Sequence, residues 1–371
     1  GQMLTRGTAR RDFAALNEEL DGLGAAISVG VGREHIDITG KALREDARRL
    51  VELMSEVVLQ PTFPEDEIER MREQSLNALR LALNDTRAAA ARPLRSAIPP
   101  AGHPSPHRLV GTEETLRAMQ REHLERFHRT AYRPERAIIA IAGGVPVEEA
   151  WSLIEEAFAG WSATGEAPTV TVPPVEPPSS RVDIEETIPG KTQADIAIGL
   201  PTVPRSAPDY DDLRVANVIL GQLGLMGRLG ERVREREGMA YYVYSALDAT
   251  RTSGMWNASA GVSPSNISRA VASILAEVER LRSEPVTADE LADARSFLIG
   301  SLPVGLESSD AIAAIALDIA FYDLGLDYIE RLPERIAAVT VDAVQSAAQR
   351  HLPTDRMVVA VAQPAPGADV A

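Results

Sequence analysis

The sequence predicts an α+β protein made of two duplicated domains, each a mixed β-sheet with helices packed on one face. Amphipathic stretches, with an apolar residue every three or four positions, alternate with short apolar runs typical of strands. Similar segments also recur about 220 residues apart, which indicates an internal duplication. The chain has 371 residues, which is long enough for two separate hydrophobic cores.

The repeat divides the chain into two halves. Three pairs of segments share their pattern at this spacing: 54–57 with 275–278, 64–68 with 287–291, and 135–142 with 355–362. Between the halves, residues 163–180 contain five prolines and few periodic apolar residues, as expected of an extended linker. We therefore predict an N-terminal domain at residues 1–162, a linker at 163–180 and a C-terminal domain at 181–371.

Each half contains its own series of elements. The first half predicts strands at 27–31, 35–40 and 137–142, and helices at 44–59, 64–83 and 112–132. Thr112 is the expected N-cap of the last of these helices. The second half predicts strands at 194–200, 240–248 and 357–361, and helices at 266–282, 288–302 and 341–351.

Composition excludes several classes of function. The net charge of −16 argues against binding to nucleic acid or to an anionic membrane, because phosphate groups require a basic surface. No apolar run reaches the length of a membrane span. The absence of cysteine excludes disulfides and thiolate chemistry, and it leaves the compartment open between bacterial cytoplasm and periplasm.

The histidines do not form a metal-binding pattern. His123 and His128 are five residues apart on a predicted helix, whereas a metal-binding pair requires four. His103 and His107 lie in a proline-rich loop. We interpret these residues as loop and cap histidines, and the sequence predicts no metal site in this chain.

The first eight residues read Gly-Gln-Met-Leu-Thr-Arg-Gly-Thr. They resemble the tail of the H-x-x-E-H zinc motif in the pitrilysin/insulinase family of metallopeptidases, with Gly1 and Gln2 where the family has Glu and His. The family's third zinc ligand is a Glu at a typical distance along the chain from the motif. Counted from Gln2, this distance leads to Leu79. Glycine cannot act as a general base, and neither an amide nor leucine is a useful zinc ligand. The three positions thus form a degenerate zinc site, and the first strands of this domain are expected before Gly1.

A second segment resembles the non-catalytic domain of the same family. Residues 227–241 run from Gly-Arg-Leu to Arg-Glu-Arg-Glu-Gly-Met-Ala-Tyr, and they place Arg234 seven residues before Tyr241. The resemblance implies that this pair reaches a partner's zinc site and hydrogen-bonds the scissile carbonyl and the oxyanion. Gly238 is a natural residue after a helix end, which puts Arg234 in the last turn and Tyr241 at a strand start, on one face with Val243 and Ser245. Without the resemblance, we would interpret Arg234 as an arginine on the exposed face of a helix and Tyr241 as a tyrosine in a half-buried strand.

Glycines recur every third residue before the predicted helix that carries Arg234, at positions 221, 224, 227 and 230. The spacing resembles the family's glycine-rich loop, with Gly224 and Gly227 as expected substrate contacts. A phosphate-binding loop is excluded because no Gly-Lys-Ser/Thr follows. A flexible turn without a substrate role is an equal alternative.

Together these resemblances imply the zinc-less, non-catalytic subunit of a heterodimeric zinc endopeptidase. It contains no cofactor of its own, and zinc is expected in a homologous partner subunit; a homodimer is the alternative assembly. Peptides are the expected substrates. A structural or binding paralogue, similar to the core proteins of respiratory complexes, is the alternative function. A self-sufficient peptidase, with ligands before Gly1, is disfavoured by the residues at the degenerate zinc site.

Overall fold

The structure is a computed structural model that describes residues 1–98, 103, 108–163, 165–167 and 171–365. The helices are α1 Phe13–Gly22, α2 Ala47–Leu59, α3 Glu65–Leu83, α4 Thr86–Ala97, α5 Glu113–Ala118, α6 Arg121–Ala131, α7 Val147–Phe158, α8 Tyr210–Asn217, α9 Ile267–Ser283, α10 Ala288–Val304, α11 Ser309–Phe321, α12 Tyr328–Ala338 and α13 Val341–His351. The strands are β1 Ala26–Val31, β2 Ile36–Lys41, β3 Val182–Thr187, β4 Ala194–Thr202, β5 Ala240–Ala249, β6 Gly254–Val262 and β7 Val358–Gln363. None of these helices is both long and apolar enough to cross a bilayer.

Contacts between residues divide the chain into two compact units. Unit 1 comprises Gly1–Leu79, Arg108–Thr171 and Gly305–Asp323, and unit 2 comprises Arg80–His107, Val172–Val304 and Leu324–Ala371. Each unit therefore includes one helix from the other half of the chain, since α4 belongs to unit 2 and α11 to unit 1. The domains predicted from the sequence follow chain order and do not include this exchange.

The predicted linker is partly described. Its residues 164 and 168–170 lie outside the described residues, and the remainder forms neither helix nor strand. The later part is attached to unit 2, because the Arg356 guanidinium donates hydrogen bonds to the carbonyls of Pro177, at 3.0 Å, and Pro178, at 2.8 Å.

Unit 2 contains a five-stranded mixed sheet in the order β3-β7-β4-β6-β5. Only β3 and β7 are parallel, and the other pairs are antiparallel. Helix α4 packs on β4 and β7 through small and aliphatic side chains, including Ala89, Leu94 and Ala197. Because α4 and α9 both contact β4, that strand is buried along nearly its whole length. The mixed sheet with packed helices confirms the predicted α+β class.

Unit 1 has a core built around the β1–β2 hairpin. Leu4, Leu16, Leu53, Val57 and Phe63 are almost completely buried and pack together. These side chains come from the start of the chain and from α1, α2 and the loop that follows α2. The tail of the degenerate motif is thus part of the core, since Leu4 is only 1% exposed.

Two predictions for unit 1 are wrong in detail. Residues Ala137–Ala142 form no strand, and Ile138, Ile139 and Ile141 are 45%, 47% and 42% exposed. A strand requires backbone partners, and none pairs with this run in the described part of unit 1. The predicted helix at 112–132 is interrupted at Met119 and Gln120.

The interruption arises from local capping. The Gln120 N–H donates to His123 Nδ1, at 3.0 Å, and this bond starts α6 as a separate helix. The predicted cap at Thr112 is confirmed, because its hydroxyl accepts a hydrogen bond from the Thr115 N–H.

The element bounds support the duplication. Helices α6 and α13 begin and end 220 residues apart, at 121 and 341 and at 131 and 351. The short turns Pro134–Arg136 and Thr354–Arg356 have the same spacing. The apolar run at 137–142 matches β7 in sequence but not in structure. Only β7 forms a strand, because β3 and β4 lie on either side of it.

Candidate functional site

The positions of the degenerate zinc site have no metal-binding side chains. Gly1 lies against β1, and a Cβ placed there would be 2.7 Å from Val31 Cγ2 and 3.2 Å from Val29 Cγ1. Gln2 is exposed, and Leu79 on α3 is 7% exposed. Across the described residues, no group of three His, Asp or Glu side chains is arranged to hold a metal ion.

The described histidines have other partners. His128 Nε2 is 2.7 Å from the carbonyl oxygen of Val58, and burial lowers the pKa of this imidazole. His351 Nε2 is 2.6 Å from Asp209 Oδ2. These contacts connect elements within a unit, so they account for the histidines structurally. His107 lies outside the described residues.

Arg234 is exposed on a π-helical segment, Gly230–Arg236. The Glu237 N–H bonds to the Arg232 carbonyl at 3.0 Å, which is the five-residue spacing of a π-helix. Gly238 follows with φ +60°, as predicted for the residue after a helix end. The segment is anchored by Val233 and Met239, which are buried, and it leaves the Arg234 guanidinium facing solvent.

Tyr241 lies at a β-bulge. Ala240 pairs with Val262 and Tyr242 pairs with Gly261, so Tyr241 is the additional residue on β5. Its side chain is 57% exposed, and its hydroxyl is 3.4 Å from Ser263 Oγ.

The bulge changes one expectation about this tyrosine. The predicted common face with Val243 and Ser245 is wrong, because those side chains are only 6% and 3% exposed. A bulge interrupts the alternation of a strand and redirects a side chain, and such irregularities are frequent next to active sites.

The two side chains can act as hydrogen-bond donors. A guanidinium carries five N–H groups and a phenol carries one O–H. Arg234 forms no ion pair with any described residue, so its donors are available to a ligand. Each side chain is therefore able to donate a hydrogen bond to an oxygen atom that carries negative charge.

The nearby glycines have different structural roles. A Cβ at Gly221 would lie 2.6 Å from the Ser245 nitrogen, and one at Gly230 would lie 2.0 Å from the Gly224 oxygen. Gly227 also packs closely, with a Cβ position 3.2 Å from the Gly221 Cα. Only Gly224 combines open space with a positive φ, +63°. Close packing therefore explains three of the four glycines, and the substrate contact predicted for Gly224 and Gly227 stays a prediction.

Sequence reasoning missed a polar aromatic cluster beside Tyr241. Arg87, from α4, donates from Nη2 to the Tyr244 hydroxyl at 2.7 Å, and its Cζ lies 4.8 Å and 5.2 Å from the ring centres of Tyr242 and Tyr244. The Tyr242 hydroxyl donates to Asp195, which is 7% exposed. The signal in the sequence was the run Tyr241-Tyr242-Val243-Tyr244, but nothing in it connects β5 with α4.

Two charged clefts are structural. In unit 2, one cleft surrounds Glu277, which is 1% exposed and bonded to Arg232 at 2.9 Å. In unit 1, the other surrounds Glu56, which is bonded to Arg11. Because the same ion pair occurs in both units, the clefts belong to the shared framework.

Comparison with known proteins agrees with this picture. Residues 1–98 match the sequence model of the insulinase family, peptidase family M16, and residues 118–298 match that of the peptidase M16 inactive domain. An uncharacterized zinc protease of Mycobacterium tuberculosis is 28% identical over 366 residues, covering 98% of this chain and 82% of that protein. The mitochondrial-processing peptidase subunit beta of Pongo abelii is 24% identical, covering 94% and 72%.

Solved structures show the same fold. A peptidase M16 inactive domain from Pseudomonas fluorescens superposes with a TM-score of 0.86 and 26% identity, covering 98% of this chain and 86% of that one. A protease from Helicobacter pylori gives a TM-score of 0.87 at 17% identity, covering 98% and 87%. The fold and its matches define a two-domain metallopeptidase-like protein. The chain belongs to the insulinase family, M16, and its residues 118–298 match the inactive domain of that family.

Proposed function

We propose that this chain is the non-catalytic subunit of a heterodimeric zinc metalloendopeptidase. It closes a peptide-binding chamber and supplies Arg234 and Tyr241 to the zinc site of a homologous subunit. The observation that carries the proposal is the combination of an exposed Arg–Tyr pair in unit 2 with a degenerate zinc site in unit 1.

The chemistry is divided between the two subunits. The partner's zinc supplies the activated water, with a glutamate of that subunit as the base. In this chain, Arg234 and Tyr241 donate hydrogen bonds to the scissile carbonyl and to the negative charge that develops on its oxygen. Donors placed where charge develops lower the barrier more than they strengthen ground-state binding.

The test is reconstitution with a zinc-bearing homologue. We expect Arg234→Ala and Tyr241→Phe each to lower kcat by about 100-fold, the scale of one lost oxyanion donor. Arg236→Ala is the matched control, because Arg236 is an exposed arginine on the same segment that is paired with Glu231. Its turnover should remain within about twofold of wild type, since exposed ion pairs contribute little.

Zinc analysis of the chain alone completes the test. We expect less than stoichiometric zinc and no peptide cleavage without the partner. Unchanged turnover in both variants, or cleavage by the unaided chain with bound zinc, would contradict the proposal. A stable assembly with a homologue that never cleaves peptides would instead favour the structural role.

A further inference from the structure

The cluster around Arg87 contains a cation with no direct acidic partner among the described residues; its hydrogen bond with Tyr244 and the nearby charge of Asp195 raise its pKa. Arg87 is exposed, and it forms no ion pair with any residue that the structure describes. Its guanidinium is nevertheless held in place by one hydrogen bond to Tyr244 and by the ring faces of Tyr242 and Tyr244. An arginine positioned in this way loses little conformational freedom when it binds a ligand.

The phenols determine where the free donors lie. Tyr242 uses its O–H on Asp195, and burial together with this bond raises the pKa of Tyr242, so the phenol stays protonated. Tyr244 accepts a hydrogen bond from Arg87, which leaves its own hydrogen available. Arg87 and Tyr244 therefore present several N–H groups and one O–H to a ligand.

These donors match a carboxylate. A guanidinium binds a carboxylate through two parallel hydrogen bonds, and a nearby hydroxyl can donate a third. The Asp195 charge does not occupy this position, because that side chain is buried and bonded to Tyr242. The net charge of −16 opposes binding of a long acidic segment, so the ligand is a peptide with a single carboxylate at this position.

The position on β5 relates the cluster to the Arg–Tyr pair. Tyr244 follows Tyr241 by three residues, which corresponds to about 10 Å along a strand. We infer that Arg87 and Tyr244 bind a carboxylate of an extended peptide, about three residues from the bond that Tyr241 contacts. This inference rests on the proposed peptide-binding role. The carboxylate belongs either to an acidic side chain or to the end of the peptide.

The experiment uses C-terminally amidated decapeptides of Ala, Ser and Gln with an uncharged fluorescent label, each containing one Glu, with a Gln version as its pair. A second pair differs only in a free or amidated C-terminus. Binding to the chain is measured by fluorescence anisotropy. For wild type, we expect at least one Glu peptide, or the free C-terminus, to bind about tenfold more tightly than its neutral pair.

Variants identify the residue responsible. Arg87→Ala should abolish the preference while leaving the affinity for the neutral peptide unchanged. Tyr244→Phe should reduce the preference about threefold, because the ring remains and only the hydroxyl is lost. Arg95→Ala, an exposed arginine on the same helix, is the matched control and should retain the full preference.

Equal affinity of charged and neutral peptides for wild type, including no binding of either, would overturn the inference. An equal effect of Arg95→Ala and Arg87→Ala would also overturn it. Arg234→Ala and Tyr241→Phe should lower turnover without changing the carboxylate preference. Failure of the proposed function is therefore visible in turnover, and failure of this inference is visible in the preference.

Discussion

The two units share one framework but differ in the residues that can do chemistry. Arg11 pairs with the buried Glu56 in unit 1, and Arg232 pairs with the buried Glu277 in the same way in unit 2. Both members are displaced by 221 residues, from 11 to 232 and from 56 to 277. In both units the duplication has thus kept a contact between the segment before a pair of strands and the helix after it. The strands are β1 and β2 with α2 in unit 1, and β5 and β6 with α9 in unit 2.

At the same spacing, the Arg–Tyr pair has no counterpart. The positions matching Arg234 and Tyr241 are Phe13 and Leu20 in unit 1. Leu20 is 6% exposed and part of the core, and Phe13 packs against the Arg6 guanidinium at 4.4 Å. The comparison shows that the shared framework is structural, whereas the candidate functional residues occur in one copy only.

The largest expected effect tests whether the two cores are independent. Leu53 and Ile274 are equivalent at the 221-residue spacing, and both are fully buried. Leu53→Ala and Ile274→Ala should each lower the free energy of unfolding by about 3 kcal/mol, because each leaves a cavity. Hydrogen exchange should show lost protection only in the unit that contains the substitution. Loss of protection in both units from either variant would show that the cores unfold together.

A smaller effect should distinguish the two units by how their stability changes at acid pH. Burial alone would raise the pKa of Glu290, but hydrogen bonds from Arg228, at 2.6 Å and 2.9 Å, lower this pKa to about 2. The match of segment 64–68 with 287–291 pairs Glu290 with Glu67, and in unit 1 Glu67 lies farther from its arginine, at 3.5 Å from Arg6.

The depressed pKa fixes the direction of the change. The ion pair of Arg228 with Glu290 stabilises the folded state fully above the unfolded pKa of 4.5, and this stabilisation is lost as pH falls from 4.5 towards 2. Glu290→Gln should lower the free energy of unfolding at pH 7 by about 1.5 kcal/mol and remove this acid sensitivity. Urea titrations at pH 7 and pH 3 measure both effects, with Glu235→Gln as an exposed control. If the free energy of unfolding changes equally between pH 7 and pH 3 in wild type and in Glu290→Gln, the pair does not have this role.

The smallest effect compares two turn glycines. Gly24 and Gly224 both have positive φ, +59° and +63°, and open space around the Cβ position. Alanine at either should cost about 1 kcal/mol of stability, because only glycine adopts this φ without strain. In the reconstituted complex, only Gly224→Ala should lower kcat/KM for peptides. Equal turnover in the two variants would show that the turn at Gly224 has no substrate role.

Local patterns predicted most elements of the fold. Helix α13 begins and ends where its amphipathic pattern does, and the β1–β2 hairpin lies within one residue of its prediction. Local chemistry also predicted the cap at Thr112 and the helix end at Gly238. These features depend on neighbouring residues, which a single sequence shows directly.

Features that depend on distant partners could not be predicted. The run Ala137–Ala142 has the composition of a strand, yet no strand lies beside it among the described residues. The bulge at Tyr241 depends on the register between β5 and β6. Likewise, the contact of Arg87 with Tyr244 joins residues 157 positions apart, a distance that periodicity does not reach.

Because α4 belongs to unit 2 and α11 belongs to unit 1, a cut in the linker does not divide the chain into its two units. A single cut within residues 163–180 leaves α4 in the fragment with unit 1 and α11 in the fragment with unit 2. Neither fragment then contains all the helices of its own unit. Each unit is therefore complete only when residues from both sides of the linker are present.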